Sequence, residues 1–198
     1  MPNLKSKKSH KESRRAGFTV IEAVVMSAIV AFLAGTVLVK FGGLNDSIAL
    51  NRSAQELALA LRQAQSYALG VLVTGGAIPP QTGVKLSYAT SDDARGYLIF
   101  SDFNGGTGNF FYDSPPDVAL ENGRFERNVR INSIRDIFGV EKPKVNVLFT
   151  SPEANVSLTD ESGSSIGDLL TIELISPSGH IKRVFVRTSG QIGIIRQP

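Results

Sequence analysis

The pattern of apolar and polar residues divides the chain into three parts. A nearly continuous apolar run extends from Phe18 to Val39 and is followed by Gly42-Gly43. From Ala54 to Ala68, apolar residues recur every three or four positions, which is the spacing of one face of an amphipathic helix. Beyond Pro80 this period is lost, and short runs bounded by turn residues predict strands. The pattern therefore predicts helix first and a β-rich remainder.

Seven strands are predicted in the β-rich remainder, and two short turns join the last three of them. Ser176-Pro177-Ser178-Gly179 and Ser189-Gly190 carry the turn residues that favour hairpins. The predicted strands are Val84–Tyr88, Tyr97–Asp102, Val129–Ile134, Val145–Thr150, Leu169–Ile175, Ile181–Thr188 and Gln191–Ile195. The helix before them should end near Gly70 or at Gly75-Gly76.

Positive charge is concentrated ahead of the apolar run. Residues 1–17 contain six lysines and arginines against the single Glu12. Because the whole chain carries a net charge of +3, residues 18–198 carry −2. The basic isoelectric point therefore belongs to the N-terminal residues and gives no evidence that the rest of the chain binds nucleic acid.

A basic segment before a long apolar run is typical of an export or membrane signal. As a helix, the run from Phe18 to Val39 would be about 33 Å long, and a bilayer core is about 30 Å thick. The charges predict a cytoplasmic N-terminus and an exported remainder. A secretory or twin-arginine signal needs a cleavage site after the run, and the nearest candidate, Ala31 to Ala34, has the wrong spacing. A plain membrane anchor leaves Glu22, the one ionisable residue of the run, unexplained.

The stretch Gly17-Phe18-Thr19-Val20-Ile21-Glu22 resembles the processing site of type IV prepilins and type II secretion prepseudopilins. In that family, a membrane-embedded peptidase cuts after the glycine and methylates the new N-terminal amine, and the fifth mature residue is glutamate. The resemblance implies cleavage after Gly17, N-methylation of Phe18 and an assembly role for Glu22. We expect Glu22 of one subunit to pair with the amine at Phe18 of a neighbour and so set the register of a filament.

Later segments are similar to the H-type minor pseudopilins: Arg95 to Gly105, Val147 to Pro152 and the closing hairpin from Ile181 to Ile195. The implied fold is α+β and pilin-like, with a long N-terminal helix packed on a C-terminal antiparallel sheet. Its first half would span a membrane and its second half would be amphipathic. The expected parts are a cytoplasmic leader that is removed (1–17), an assembly helix (18–41), an amphipathic helix (44–75) and a β-rich domain (80–198).

The resemblance further implies a minor structural subunit of a type II secretion pseudopilus or a type IV pilus, not an enzyme, with no cofactor. The expected partners are a prepilin peptidase, other pilins or pseudopilins, an inner-membrane assembly platform, and membrane lipid before assembly. The expected location is the inner membrane, in a single pass with the globular domain outside, and then the filament. Two alternatives remain open: a DNA-binding minor pilin for DNA uptake, and a membrane-anchored binding domain that does not assemble.

One loop has some features of a calcium site. Asp102, Asn104 and Asp113 occupy positions 1, 3 and 12 of such a loop, but Gly106 and Thr107 stand where a ligand and the required glycine are expected. A glycine-rich hairpin loop is therefore the preferred interpretation, and calcium is the alternative.

The C-terminal residues offer a second candidate. Lys182, Arg183, Arg187 and Arg196 could contact DNA, although spread cations are also typical of a solvated strand face. His180 is the one histidine after residue 17, so neither a base–nucleophile pair nor a histidine metal site is expected. The absence of cysteine excludes disulfides, thiolate zinc sites and cysteine nucleophiles.

Overall fold

The computed structural model describes residues 17–103 and 109–195, and for residues 37–44 it describes the backbone alone. Helical backbone, α1, extends over Val20–Leu69. The chain divides into two compact units, Met1–Phe41 and Gly42–Pro198. The described side chains of α1 therefore form two groups. We call residues 17–36, which include the three residues before the helix, the N-terminal segment. We call residues 45–69 the packed segment.

After α1, the described residues form nine strands in two antiparallel sheets. The five-stranded sheet has the order β3-β2-β1-β5-β6, and the four-stranded sheet has the order β4-β7-β8-β9. The strands are β1 Gln81–Ser87, β2 Gly96–Asp102, β3 Val118–Arg124, β4 Arg130–Arg135, β5 Lys144–Thr150, β6 Asn155–Asp160, β7 Leu169–Ile175, β8 Ile181–Arg187 and β9 Ile192–Ile195.

The packed segment and both sheets share one hydrophobic core. Leu50, Leu57 and Leu61 of the packed segment are almost completely buried and belong to the same cluster as inward side chains of both sheets. Burying one such leucine contributes about 1.5–3 kcal/mol. Small side chains stand between the leucines on the buried face, at Ala54, Ala58, Ala64 and Ala68, and they let the helix approach the strands closely.

The packed segment ends at the first of its two predicted positions, near Gly70, and short of the predicted range 44–75. The helix stops at Leu69, and the Gly70 N–H donates to the Ser66 carbonyl at 2.8 Å. Both predicted hairpins are also confirmed. The turn at Gly179 joins β7 to β8, the turn at Gly190 joins β8 to β9, and each glycine has a positive φ near 84°. Such a backbone conformation favours glycine because any Cβ would be strained there.

All seven predicted strands are present, with ends that differ by a few residues, and two further strands were not predicted. Both of these, β3 and β6, are edges of the five-stranded sheet. β3 is mostly exposed and contains the turn signal Asn122-Gly123, and β6 begins with Asn155 and ends with Asp160. Polar outward residues are usual on edge strands, and they hide the apolar alternation on which strand prediction depends.

The predicted pilin-like fold is wrong. It placed a long N-terminal helix on a single antiparallel sheet, whereas nine strands in two sheets form most of the described chain. The described side chains of α1 that enter the core begin only at Ala49. The physical reason is that buried residues such as Ile131, Leu170 and Val184 lie on strands that pair with one another and not with β1 or β5. Alternation in the sequence shows which residues are buried but not which strands are neighbours.

The predicted membrane-spanning helix and the single-pass inner-membrane location are contradicted as well. Among the residues that the structure describes, no helical stretch combines the length and the apolar character that crossing a membrane requires. The prediction counted apolar residues to Val39, but side chains are described only to Thr36 and residues 37–39 lie outside them.

Candidate processing and assembly site

The bond between Gly17 and Phe18 lies in an open, non-helical stretch just before α1. Residues 17–19 are outside the helix, and the Phe18 side chain is 77% exposed. A side chain built at Gly17 would meet no other atom within 4 Å. A peptidase needs an accessible, non-helical backbone, and this bond meets both conditions.

Thr19 caps the helix that begins after it. The Ala23 N–H donates to the Thr19 carbonyl at 3.1 Å, and the Glu22 N–H donates to the Thr19 hydroxyl at 3.3 Å. Thr19 is thus the N-cap and Glu22 the third helical residue, as in the capping box Ser/Thr-x-x-Glu. Sequence reasoning missed Thr19, although the spacing Thr19 to Glu22 is the signal that identifies this motif.

The N-terminal segment exposes apolar side chains on all of its sides. Every described side chain from Gly17 to Thr36 is exposed, and Val20, Ile21 and Phe32 are more than 70% exposed. Glu22 is the single charged residue among them. An apolar surface this continuous is typical of a segment that other molecules cover.

Asp102, one of the three calcium candidates, is fully buried and shapes its own loop. Its carboxylate accepts the backbone N–H groups of Asn109 and Phe110, each at 3.1 Å. Asn109 also donates its side-chain amide to Asp113 at 3.2 Å. Asn104 lies outside the described residues. Within 17–103 and 109–195, no group of three or more His, Asp or Glu side chains could hold a metal ion.

Asp117, which sequence reasoning missed, holds the same loop from its other end. Its two carboxylate oxygens accept the N–H groups of Phe103 and Asp113, at 3.0 and 2.9 Å. Burial raises the pKa of Asp117 to about 6, against an ordinary value of 3.8, and the charges of Asp102 and Asp113 add to the rise. These aspartates therefore act as acceptors for loop backbone. No motif marks Asp117 in the sequence.

The C-terminal cations do not form one patch. Lys182 and Arg183 are adjacent on β8, so their side chains leave opposite faces of the sheet. The Arg183 guanidinium binds Glu173 on β7 through two nitrogens, each 2.9 Å from the same carboxylate oxygen. Arg187 is exposed, and Arg196 lies outside the described residues. The described part of the chain therefore offers no cluster of these cations to a DNA backbone.

His180 lies in the hairpin turn between β7 and β8. Its Nδ1 is 3.0 Å from the Ser178 hydroxyl, and its backbone N–H donates to the Ser176 hydroxyl at 3.1 Å. Both contacts stay within the turn and organise its backbone.

No protein-family model matches the chain, and neither a curated protein nor a solved structure is significantly similar to it.

Proposed function

We propose that this chain is a filament subunit, which a prepilin-type peptidase cleaves after Gly17 and which assembles through its N-terminal segment. The single observation that carries the proposal is the arrangement at the start of α1. An exposed, non-helical Gly17-Phe18 bond directly precedes a capped helix whose apolar side chains are exposed on all sides. A minor subunit of a type II secretion pseudopilus or a type IV pilus fits this arrangement, and no enzymatic role is proposed.

Cleavage and assembly use neighbouring parts of this arrangement. Cleavage after Gly17 leaves Phe18 as the first residue, one position before the N-cap Thr19. The new chain therefore begins with a positively charged amine immediately next to the helix start. When several such helices pack side by side, their apolar side chains are removed from water, which contributes about 25 cal/mol for each Å² that is buried.

Glu22 has two roles that an experiment can separate. As the third residue of a capped helix, it favours the helix start, where negative charge is stabilised. As a carboxylate on an otherwise apolar surface, it can pair with the Phe18 amine of a neighbouring subunit. Glutamine retains the capping-box geometry but has no charge. Glu22→Gln therefore removes the charge that the intersubunit pair needs but keeps a polar side chain at this position, whereas Glu22→Ala removes both. The backbone N–H of residue 22 that donates to Thr19 remains in either variant.

The first test is the mature N-terminus. We expect mass spectrometry of the chain produced together with a prepilin peptidase to find an N-methylated Phe18 as its first residue. The Gly17→Val variant should remain uncleaved, and Gly35→Val, a glycine within the helix, should be processed normally. A chain that retains residues 1–17, or that is cut near Ala34, would contradict the proposal.

The second test is incorporation into filaments, measured after shearing and sedimentation in cells that assemble them. We expect Glu22→Gln and Glu22→Ala to reduce incorporation to a similar extent while Phe18 is still produced at the N-terminus. If Glu22→Gln assembles like the unchanged chain, capping explains Glu22 and the intersubunit ion pair is wrong.

A further inference from the structure

A short apolar turn projects from the end of β4. Phe138 is 84% exposed, the largest value among the large apolar side chains of the described residues, and Ile137 and Val140 beside it are about half exposed. We call residues 136–141 the apolar turn. An aromatic side chain this exposed contributes nothing to the core of its own chain.

The backbone of the apolar turn is held in one conformation. One Asp136 carboxylate oxygen accepts the N–H groups of Phe138 and Val140, both at 2.9 Å. The Asp136 N–H in turn donates to the Val140 carbonyl at 3.1 Å, and Gly139 adopts a positive φ of 79°. Four exposed residues are thus presented with little backbone freedom, which reduces the entropy lost when a partner binds them.

A groove with complementary properties lies between the packed segment and β9. Its accessible apolar surface comes from Leu59, which is 61% exposed, and from the partly exposed Ile194, whereas Ala54 and Ala58 beside them are almost completely buried. Its volume of about 590 Å³ is large enough for an aromatic side chain. We call it the β9 groove.

The charges of the two surfaces are also complementary. The charged residues that line the β9 groove are both cations, Arg62 and Lys182. The apolar turn contains Asp136 and Glu141. Glu141 pairs with Arg135 at 2.8 Å, whereas no ion pair of Asp136 is found among the described residues. The turn therefore presents an apolar side chain beside a negative charge, and the groove presents an apolar surface beside positive charges.

The two surfaces lie at opposite edges of the same sheet. The four-stranded sheet has β4 at one edge and β9 at the other, about 14 Å away at three strand spacings. The apolar turn follows β4 directly, and β9 forms one wall of the groove. A contact between unlike surfaces on opposite edges repeats from one copy to the next, and it forms an open array when the rotation does not close a ring.

We propose that the apolar turn of one copy of this chain docks in the β9 groove of the next, with Phe138 against Leu59 and Ile194 and Asp136 near Arg62 and Lys182. This inference goes beyond the proposed function, because the contact uses neither the Gly17 bond nor the N-terminal segment.

Cross-linking of the uncleaved full chain in mild detergent tests the contact directly. The chain has no cysteine, so introduced thiols report single positions. We expect a chain that carries both Val140→Cys and Gln55→Cys, treated with a short thiol-reactive cross-linker, to form dimers, trimers and higher oligomers on a denaturing gel. A mixture of the two single variants should stop at dimers, because each chain then offers one half of the contact.

Two matched controls define the result. Val118→Cys replaces Val140→Cys with an exposed valine of β3, and this pair should not form the series of oligomers. Phe138→Ala in the original pair should reduce the oligomers by about tenfold or more, given the apolar area of one phenylalanine. Leu59→Ser on the groove rim should also reduce them, while Leu69→Ser, an exposed leucine outside the groove, should not.

Several outcomes would overturn the inference. One is that Val118→Cys with Gln55→Cys forms as much cross-linked oligomer as the original pair. Another is that Phe138→Ala or Leu59→Ser leaves the amount of oligomer unchanged. A third is efficient cross-linking by Val140→Cys alone, which would indicate a turn-to-turn contact. Because the uncleaved chain is used, these outcomes leave the cleavage proposal untouched, and failed cleavage would leave this contact untouched.

Discussion

The N-terminal segment and the packed segment are both helical and both rich in apolar residues, yet they bury them differently. Side chains from Gly17 to Thr36 are all exposed, whereas the packed segment buries a stripe that includes Leu50, Leu57 and Leu61. The difference is visible in the spacing. In the packed segment, apolar residues of one face recur every three or four positions with polar residues on the other face, whereas Glu22 is the one ionisable residue between Phe18 and Val39.

Helical periodicity in the sequence thus indicates whether a helix is covered by its own chain. A stripe of apolar residues with a polar opposite face indicates a helix that its own chain covers on one side. Apolar residues on every side indicate a helix that its own chain does not cover, and its burial must come from other molecules. Burial in the packed segment thus contributes to folding, whereas under the proposed function the N-terminal segment buries its side chains on association.

The largest test of the comparison removes one leucine from each segment. We expect Leu61→Ala to lower the free energy of unfolding by about 2–5 kcal/mol, because it leaves a cavity in the shared core. Leu33→Ala, the same change at an exposed position, should leave it unchanged within about 0.5 kcal/mol. Urea denaturation of the full chain, followed by tyrosine fluorescence, measures both. A similar loss for the two variants would show that the N-terminal segment also contributes to folding.

The arginines of β8 show the same contrast between a side chain that its own chain contacts and one that is exposed. We expect Arg183→Ala to cost about 1–3 kcal/mol, because it removes the cation that faces the buried Glu173 carboxylate and leaves Asn132 as its partner at 2.8 Å. Arg187→Ala, an exposed arginine on the same strand, should cost less than about 0.5 kcal/mol. Equal losses in the free energy of unfolding for the two variants would mean that the pair of Arg183 with Glu173 does not stabilise the fold.

Much of this comparison could be predicted from the sequence, because it depends on local spacing. The buried face of the packed segment, its end near Gly70 and the hairpins at Gly179 and Gly190 each follow from a few adjacent residues. Thr19 was within reach as well, since the capping box is a four-residue pattern. These features require no knowledge of which strands are neighbours.

The layered fold and the apolar turn depend on contacts between distant residues. The separation into two sheets is decided by pairings such as β4 with β7, and the alternation in either strand is equally compatible with other neighbours. Ile137-Phe138-Gly139-Val140 is given no element from the sequence, and it forms an exposed turn whose backbone Asp136 binds.

A smaller effect should appear on changing the pH, and only in the unit that has its own core. The raised pKa of Asp117, about 6 against 3.8, means that the folded chain binds a proton before the unfolded chain does. Stability therefore rises as the pH falls from about 7 to 5, by about 1 kcal/mol once solvent screening is allowed for.

Asp117→Asn should remove this pH dependence, because the amide does not titrate. Asp93→Asn, at an exposed aspartate, is the control and should keep the slope. Urea denaturation at several pH values measures all three chains. If the pH dependence of stability persists in Asp117→Asn, another titratable group causes it.

The smallest test removes one hydroxyl from each region. The Tyr97 hydroxyl donates to Glu56 of the packed segment at 3.3 Å, and Tyr97→Phe retains the ring contact with Phe125. We expect a loss of about 0.5 kcal/mol in the free energy of unfolding, at the low end for a hydrogen bond because this one is long. Ser27 of the N-terminal segment donates to the Ala23 carbonyl at 2.7 Å, but it is exposed and alanine is the better helix former. Ser27→Ala should therefore cost nothing in the same measurement. If the shorter bond proves the more stabilising one, the N-terminal segment folds together with the sheets, and the division between folding and association drawn from the two helical segments is wrong.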